Sequence, residues 1–293
     1  MKRWPTALLA IAVLTGVVFA QRGFRGGGRG GFRDGWGWSR AEGYNTPREM
    51  VQHAGETPNW TNAPGFEKDV FTFARVRRAR ASYSRGGPWD TDAPDSDLNL
   101  SFRLQQMTSL KVDPNGKFIN LTDKDLSDYP FIYMVEPGSL ELNADEIVAL
   151  RKYLLNGGFL WLDDFWGEEE WENAADVMKQ VFPDRNFTEL PLDHPLYHCV
   201  FDIRAKNQVP NVELGTLSEY DPEHRTWERS DAQVVHHRAI FDDQGRIMVL
   251  ATHNTDNGDG WEWEGDNHYY FAEFSEKTAY PLAVNVIFYI MTH

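Results

Sequence analysis

The stretch from Asn143 to Val181 constrains the fold of this chain more than any other. Asn143-Ala144-Asp145-Glu146 opens a helix with a carboxylate placed to reach back to the capping residue's backbone. Ile147, Leu150 and Leu154 form an apolar stripe at the helical period, and Gly157-Gly158 ends the helix. Phe159-Leu160-Trp161-Leu162 follows without alternation, as a strand buried on both faces requires, and stops on Asp163-Asp164. A second helix is expected over Glu168–Val181. Its acidic start suits the helix dipole, and Trp171, Ala175 and Met178 share one face. A helix, a doubly buried strand and another helix in this order imply an α/β fold with a mostly parallel sheet covered on both sides.

The rest of the chain is consistent with that plan. Val70–Val76 reads as the first strand and Tyr129–Val135 as a buried one. Between them Asp95 or Ser96 can cap a helix that presents Leu100, Leu104 and Met107. Residues 202–230 have little periodicity and read as an insertion. Val234–Phe241 and Arg246–Thr252 flank Asp242-Asp243-Gln244-Gly245, a hairpin pattern. Pro281–Met291 is apolar nearly all round yet shorter than the ~20 residues of a bilayer span, so a helix packed deep against the sheet is expected.

The N-terminus reads as an export signal. Lys2 and Arg3 precede an apolar run from Ala7 to Val18, and Val17-Val18-Phe19-Ala20 offers cleavage near Ala20. The expected division is a signal peptide over 1–20, a Gly/Arg-rich disordered tether and linker over 21–65, and one domain over 66–293. The mature chain would be periplasmic or extracellular, with no transmembrane segment. Net charge is −15 for the whole chain and −17 once Lys2 and Arg3 leave; residues 21–40 carry +4, which puts −21 on residues 41–293. So acidic a domain repels phosphate backbones, and no nucleic-acid partner is expected for it. Cys199 is the one cysteine, so no internal disulfide forms and the core alone must hold the fold.

Five motifs carry a resemblance: Trp89-Asp90-Thr91-Asp92-Ala93-Pro94-Asp95-Ser96-Asp97-Leu98-Asn99-Leu100, Tyr133-Met134-Val135-Glu136-Pro137-Gly138, Leu154-Leu155-Asn156-Gly157-Gly158-Phe159, Asp163-Asp164-Phe165-Trp166-Gly167 and Asp193-His194-Pro195-Leu196. Together they resemble the bacterial family known as domain of unknown function 4159, from about Phe66 to His293. That family is similar to the class I glutamine-amidotransferase-like superfamily. The resemblance implies a flavodoxin-like three-layer sandwich, and a role at the cell envelope beside an envelope protein or polysaccharide. This chain departs from the superfamily where it matters most. An amidotransferase needs a thiolate on its strand-to-helix elbow. Asp163-Asp164-Phe165-Trp166-Gly167 holds none, and Cys199 follows Tyr197-His198 far from that turn.

Ligands of open parallel sheets sit beyond the carboxyl ends of the strands. Asp163, Asp164, His253 and Asp256 fall there as candidate acid–base groups. Asp92, Asp163, Asp164 and His253 would suit a divalent cation, although no cofactor is required by any motif. Asp163-Asp164 could equally cap the helix that follows. Trp89, Asp90, Trp166, Asn254, Trp261 and Trp263 are candidate ligand contacts, the tryptophans as stacking faces for a sugar or as sheet cover. His194 and His198 are separated by Pro195, and His236 and His237 point to opposite faces of a strand, so neither pair reads as a joint metal site. Two functions follow as expectations. The first is a non-catalytic binding or scaffolding module at the envelope; its rival is a carboxylate- or metal-dependent hydrolase acting on an envelope polysaccharide.

Overall fold

The computed structural model describes residues 39–53, 55–65, 69–78 and 87–293. The expected signal peptide and the glycine-rich start of the tether lie outside the described residues. Seven strands form one sheet in the order β2-β1-β3-β4-β7-β6-β5. They are β1 (Ala74–Val76), β2 (Lys117–Ile119), β3 (Phe131–Val135), β4 (Phe159–Asp163), β5 (Thr188–Glu189), β6 (His236–Phe241) and β7 (Ile247–His253). The pairs β2–β1, β1–β3, β3–β4 and β4–β7 are parallel, while β6 runs against both β7 and β5.

Alternation of side chains along the strands creates two cores. Phe131, Tyr133, Phe159 and Trp161 face α1 (Asp95–Met107), α5 (Asn257–Glu262) and α7 (Tyr280–Thr292), with Leu100, Leu104, Trp261, Ala283 and Val286 buried among them. Ile132, Met134, Leu160 and Leu162 face the other way, onto α2 (Ala144–Leu155) and α3 (Gly167–Val181), against Leu150, Leu154, Ala174 and Met178. Helices on both faces explain why the strands read as unbroken apolar runs.

The local signals form as the sequence predicts at α2. Asn143 Oδ1 accepts the Asp145 and Glu146 amides at 3.0 Å, and Glu146 Oε2 accepts the Asn143 amide at 2.9 Å. Gly158 lies so close to the Tyr153 ring that a methyl group there would collide with it. Two helix faces differ from expectation. The buried stripe of α3 is Glu170, Ala174, Val177, Met178 and Val181, while Trp171 lies half-buried with the Arg238 guanidinium 3.9 Å above its ring. Met107, the last residue of α1, is 49% exposed. The first strand is also shorter than its apolar run: Phe71 bridges Val112 and Phe73 is buried, but regular pairing starts at Ala74.

The insertion at 202–230 holds only α4 (Val212–Ser218). The C-terminal helix starts earlier than its apolar pattern, as α6 (His268–Tyr270) leading through wide π-helical turns at Phe271–Ala279 into α7. Residues described between 39 and 65 pack on the segment before β2 and on α1, where the His53 amide donates to Asp95 at 3.1 Å. Arg48 donates to Thr57 O at 2.8 Å and Trp60 Nε1 to Val112 O at 2.8 Å.

Candidate functional site

Three loops leave the carboxyl ends of β1, β4 and β7 and meet above the sheet, at the edge where the chain reverses its order from β1–β2 to β3–β4. Arg75 of β1 fixes the first. Its fully buried guanidinium pairs with Asp97 and donates to Thr91 O and Ser96 Oγ, each at 2.8 Å. An isolated cation buried there would be costly, so the pairing determines the course of residues 89–97. The second and third loops are joined to each other. Phe165 bridges Thr255, and the Asn254 amide donates to Phe165 O at 2.9 Å.

Carboxylates collect where these loops meet. Asp92, Asp164 and Asp256 each bring an oxygen within 4.8 Å of the others, and so do Asp92, Asp259 and Glu262. All five residues are buried. Asp92 and Asp164 hold left-handed backbone, with φ of 65° and 56°, a conformation that costs a non-glycine residue ~1–2 kcal/mol. Asp164 sits one residue past β4 and three before α3, on a sharp strand-to-helix turn, and accepts the Trp166 indole N–H at 2.9 Å. Asp256 caps α5 by accepting the Asp259 amide at 2.8 Å, while Asp259 accepts the Val212 amide at 2.7 Å. Gly258 packs on Asp92, where a methyl group would strike Oδ2.

The electrostatics follow from that geometry. Burial, then the charges of Asp164, Asp259 and Asp92, holds the Asp256 carboxyl well above its ordinary range. Burial and Glu262 do the same to Asp259. Burial and Asp92 push Glu262 up to about 8. These groups repel one another in a low-dielectric site and keep protons that exposed carboxyls lose. The donor set is oxygen only, which suits a hard divalent cation such as Ca²⁺, Mg²⁺ or Mn²⁺. Asn257 Oδ1, next in sequence to Asp256, is a further buried oxygen without a hydrogen-bond partner among the described residues.

Comparison with known families places this edge in context. Residues 72–291 match the model of a domain of unknown function, DUF4159. The chain belongs to this family. The match begins just before β1 and ends in α7, so the DUF4159 domain takes in the whole sheet and all five clustered acids. No curated protein matches the chain. No helix among the described residues is long and apolar enough to cross a membrane.

Other residues singled out in the sequence are placed as follows. Asp163 faces into the sheet, not into the acid cluster. Its oxygens accept Tyr133 OH, Asn257 Nδ2 and the Gly258 amide at 2.8, 2.8 and 3.2 Å, and Thr252 Oγ1 as well. Burial raises its carboxyl, and those donors pull it back. His253 is buried, with Nε2 3.0 Å from Gly167 O and its ring against Phe165. Burial lowers it to about 4, so it stays neutral and does not join the acids. Asp90 accepts the Ala41 amide at 2.8 Å, and Trp89 packs edge-on to Phe118. Asn254, at φ 63°, accepts the Gly167 amide and donates to Val234 O, both at 2.8 Å. Trp261 lies in the core against Trp161 and Tyr133, Trp166 is buried over Asp164, and Trp263 is half-buried. With the first two enclosed, these tryptophans offer no row of faces for a sugar.

The remaining histidines and the cysteine have local roles. His194 Nδ1 accepts the Leu196 amide, His198 pairs with Asp202, and His236 and His237 go to Glu189 and Tyr197 on opposite faces. Cys199 donates to Leu196 O and Asn285 O, and burial raises its thiol. Sequence reasoning did not find Asp259, Glu262, Asp95 or His53 as site residues. Asp95 read as a helix cap, and Glu262 lies between two tryptophans read only as stacking faces or sheet cover. His53 fell within the expected linker. Only the tertiary fold brings them together.

Proposed function

We propose that this chain is an exported, non-catalytic amidotransferase-like domain that acts as a binding or scaffolding unit at the cell envelope, with its ligand seat in the carboxylate cluster. The observation that carries the reading is Asp164. It occupies a strained strand-to-helix turn of the kind that presents a nucleophile in hydrolase and transferase folds. The residue there is a buried carboxylate tied to Trp166, and the thiol such chemistry needs lies elsewhere, at Cys199. Around it are Asp92 and Asp256, whose oxygens are parts for holding a cation.

The finer fold assignment belongs to the same proposal. Leaving out the antiparallel β5–β6, the parallel strands run 2-1-3-4-7, the flavodoxin-like order with two antiparallel strands inserted in the chain before its last strand. Export rests on the leader pattern at Lys2–Ala20, and the acidic surface favours partners other than nucleic acid. One observation favours the hydrolase reading as a rival: Glu262, raised by burial and Asp92 to about 8, holds its proton near neutrality, as a general acid must.

The test is melting of residues 21–293 in chelator and in millimolar Ca²⁺, Mg²⁺ or Mn²⁺, beside Asp164→Asn, with an assay for cleavage of envelope polysaccharide. A cation-dependent rise in melting that Asp164→Asn abolishes, without cleavage, is expected. Cleavage lost in Asp164→Asn would establish the hydrolase instead. Identical melting in all conditions would remove the cation seat.

A further inference from the structure

We propose that His53, Asp95 and Glu262 form a second cation position, closer to solvent than the buried acids and joined to them through Glu262. The inference deepens the reading of the carboxylate cluster as a cation seat. It extends the site to a residue ahead of the family's matched range, since His53 precedes Thr72.

The geometry is that of a mixed imidazole–carboxylate site. His53 Nδ1 lies 2.9 Å from Asp95 Oδ2 and 3.8 Å from Glu262 Oε1, and one ligand atom from each residue falls within 4.8 Å of the other two. The segment that delivers the ring is fixed by the same carboxylate, because the His53 amide donates to both Asp95 oxygens at 3.1 Å. Access is graded. The Asp95 side chain is fully buried, that of Glu262 is 11% exposed and that of His53 is 37% exposed, so the imidazole forms the solvent-facing wall.

The donor set decides the class of cation. One nitrogen and two carboxylates suit a borderline ion such as Zn²⁺ better than Ca²⁺ or Mg²⁺, which prefer oxygen alone. Glu262 also belongs to the triad with Asp92 and Asp259, so its two oxygens can bridge an outer and an inner ion. Such bridging relieves the repulsion that raises Glu262. In the resting site Arg40 Nη1 is 2.5 Å from His53 Nε2, which puts the ring proton on Nδ1, facing Asp95. Ligation at Nδ1 requires that proton to move to Nε2, ending the Arg40 hydrogen bond. The Arg40 residue is exposed and has room to turn away.

Zinc stoichiometry of residues 21–293 by native mass spectrometry and calorimetry tests the proposal, with His53→Ala, His53→Gln and Asp164→Asn beside the natural chain. Glutamine keeps a hydrogen bond to Asp95, so it separates ligation from a purely structural role. One Zn²⁺ at the outer position is expected, lost or weakened at least tenfold in both His53 variants and kept in Asp164→Asn. His53 variants that bind zinc like the natural chain would overturn the inference and leave the buried seat standing. The buried seat is read separately, by the melting rise in Ca²⁺, Mg²⁺ or Mn²⁺ that Asp164→Asn abolishes. No zinc on the natural chain would overturn the outer position and leave the buried seat to that melting test.

Discussion

Replacing Glu262 with glutamine should make the protein more stable at alkaline pH in the absence of divalent cations, although most changes to a buried polar group do the opposite. The reasoning follows the proton. An ordinary glutamate titrates near 4.5, and burial with Asp92 nearby lifts Glu262 to about 8 in the fold. Between those values the unfolded chain has released the proton and the folded chain still holds it. Unfolding then sheds a proton, and stability falls as pH rises. Each pH step across that window costs ~1.4 kcal/mol. From about 4.5 to about 8 the loss reaches roughly 5 kcal/mol. Glutamine has the shape of the protonated acid and no proton to release, so the variant escapes the loss.

The assay is calorimetric melting of both proteins in chelator from pH 4.5 to 8.5. A domain of this size shifts by ~2–4 °C per kcal/mol, so the variant should melt roughly 10–20 °C above the natural chain at the alkaline end. The two should converge at the acid end, where Glu262 is protonated in both states. Adding a divalent cation should raise the natural chain by ~2.7 kcal/mol at a hundred times its dissociation constant and the variant by less. A variant that melts at or below the natural chain at pH 8.5 would refute the reasoning, as would a gap that does not change with pH. Either result would mean that the acids are better compensated by hydrogen bonds than their crowding implies.

Two further predictions separate structural acids from ligand acids. Asp163→Ala leaves the Tyr133 hydroxyl, the Thr252 hydroxyl, the Asn257 amide and the Gly258 N–H without their acceptor; urea unfolding should show a loss of roughly 3–5 kcal/mol, with Asp163→Asn recovering part of it, and a cost under ~1 kcal/mol would contradict the assignment. Gly258→Ala should displace Asp92 and weaken cation binding about tenfold, while stability drops by roughly 1–3 kcal/mol. Unchanged calorimetric affinity in that variant would separate Asp92 from the seat.

The layered fold was legible because its signals are long and periodic. The α2–β4–α3 unit has a capping box, a glycine stop and a doubly buried strand, and each forms where the sequence puts it. Short elements were not legible. β2 pairs through three residues, α5 has six, and the π-helical turns shift the period on which pattern reading depends. Trp261 shows the consequence. Its sequence context leaves a stacking face and a sheet cover both open, and the turn into α5, which has no signal of its own, puts the ring in the core and aims Glu262 at Asp92. Asp163 and Asp164 show the same limit at the finest scale. The first continues the strand and serves the sheet, the second turns left-handed and joins the cluster, and nothing in two identical neighbours says which does which.

The left-handed residues carry the argument one step further. Asp92, Asp164 and Asn254 follow β1, β4 and β7, each with φ near 60°. Their short polar side chains lower the cost of that conformation but do not abolish it. Turns alone do not require them, since glycine would take the same backbone without strain. Asn254 answers for its position: its side chain ties Gly167 to Val234 and locks the β4 and β7 loops together. Asp164 accepts the Trp166 indole N–H, but it and Asp92 also add buried negative charge beside Asp256, and glycine would remove that repulsion together with the strain. The chain thus gives up stability twice at the same two positions, through backbone and through charge. A bound cation reverses the second cost and makes use of the first, because the strained turns are what point both carboxylates at one place.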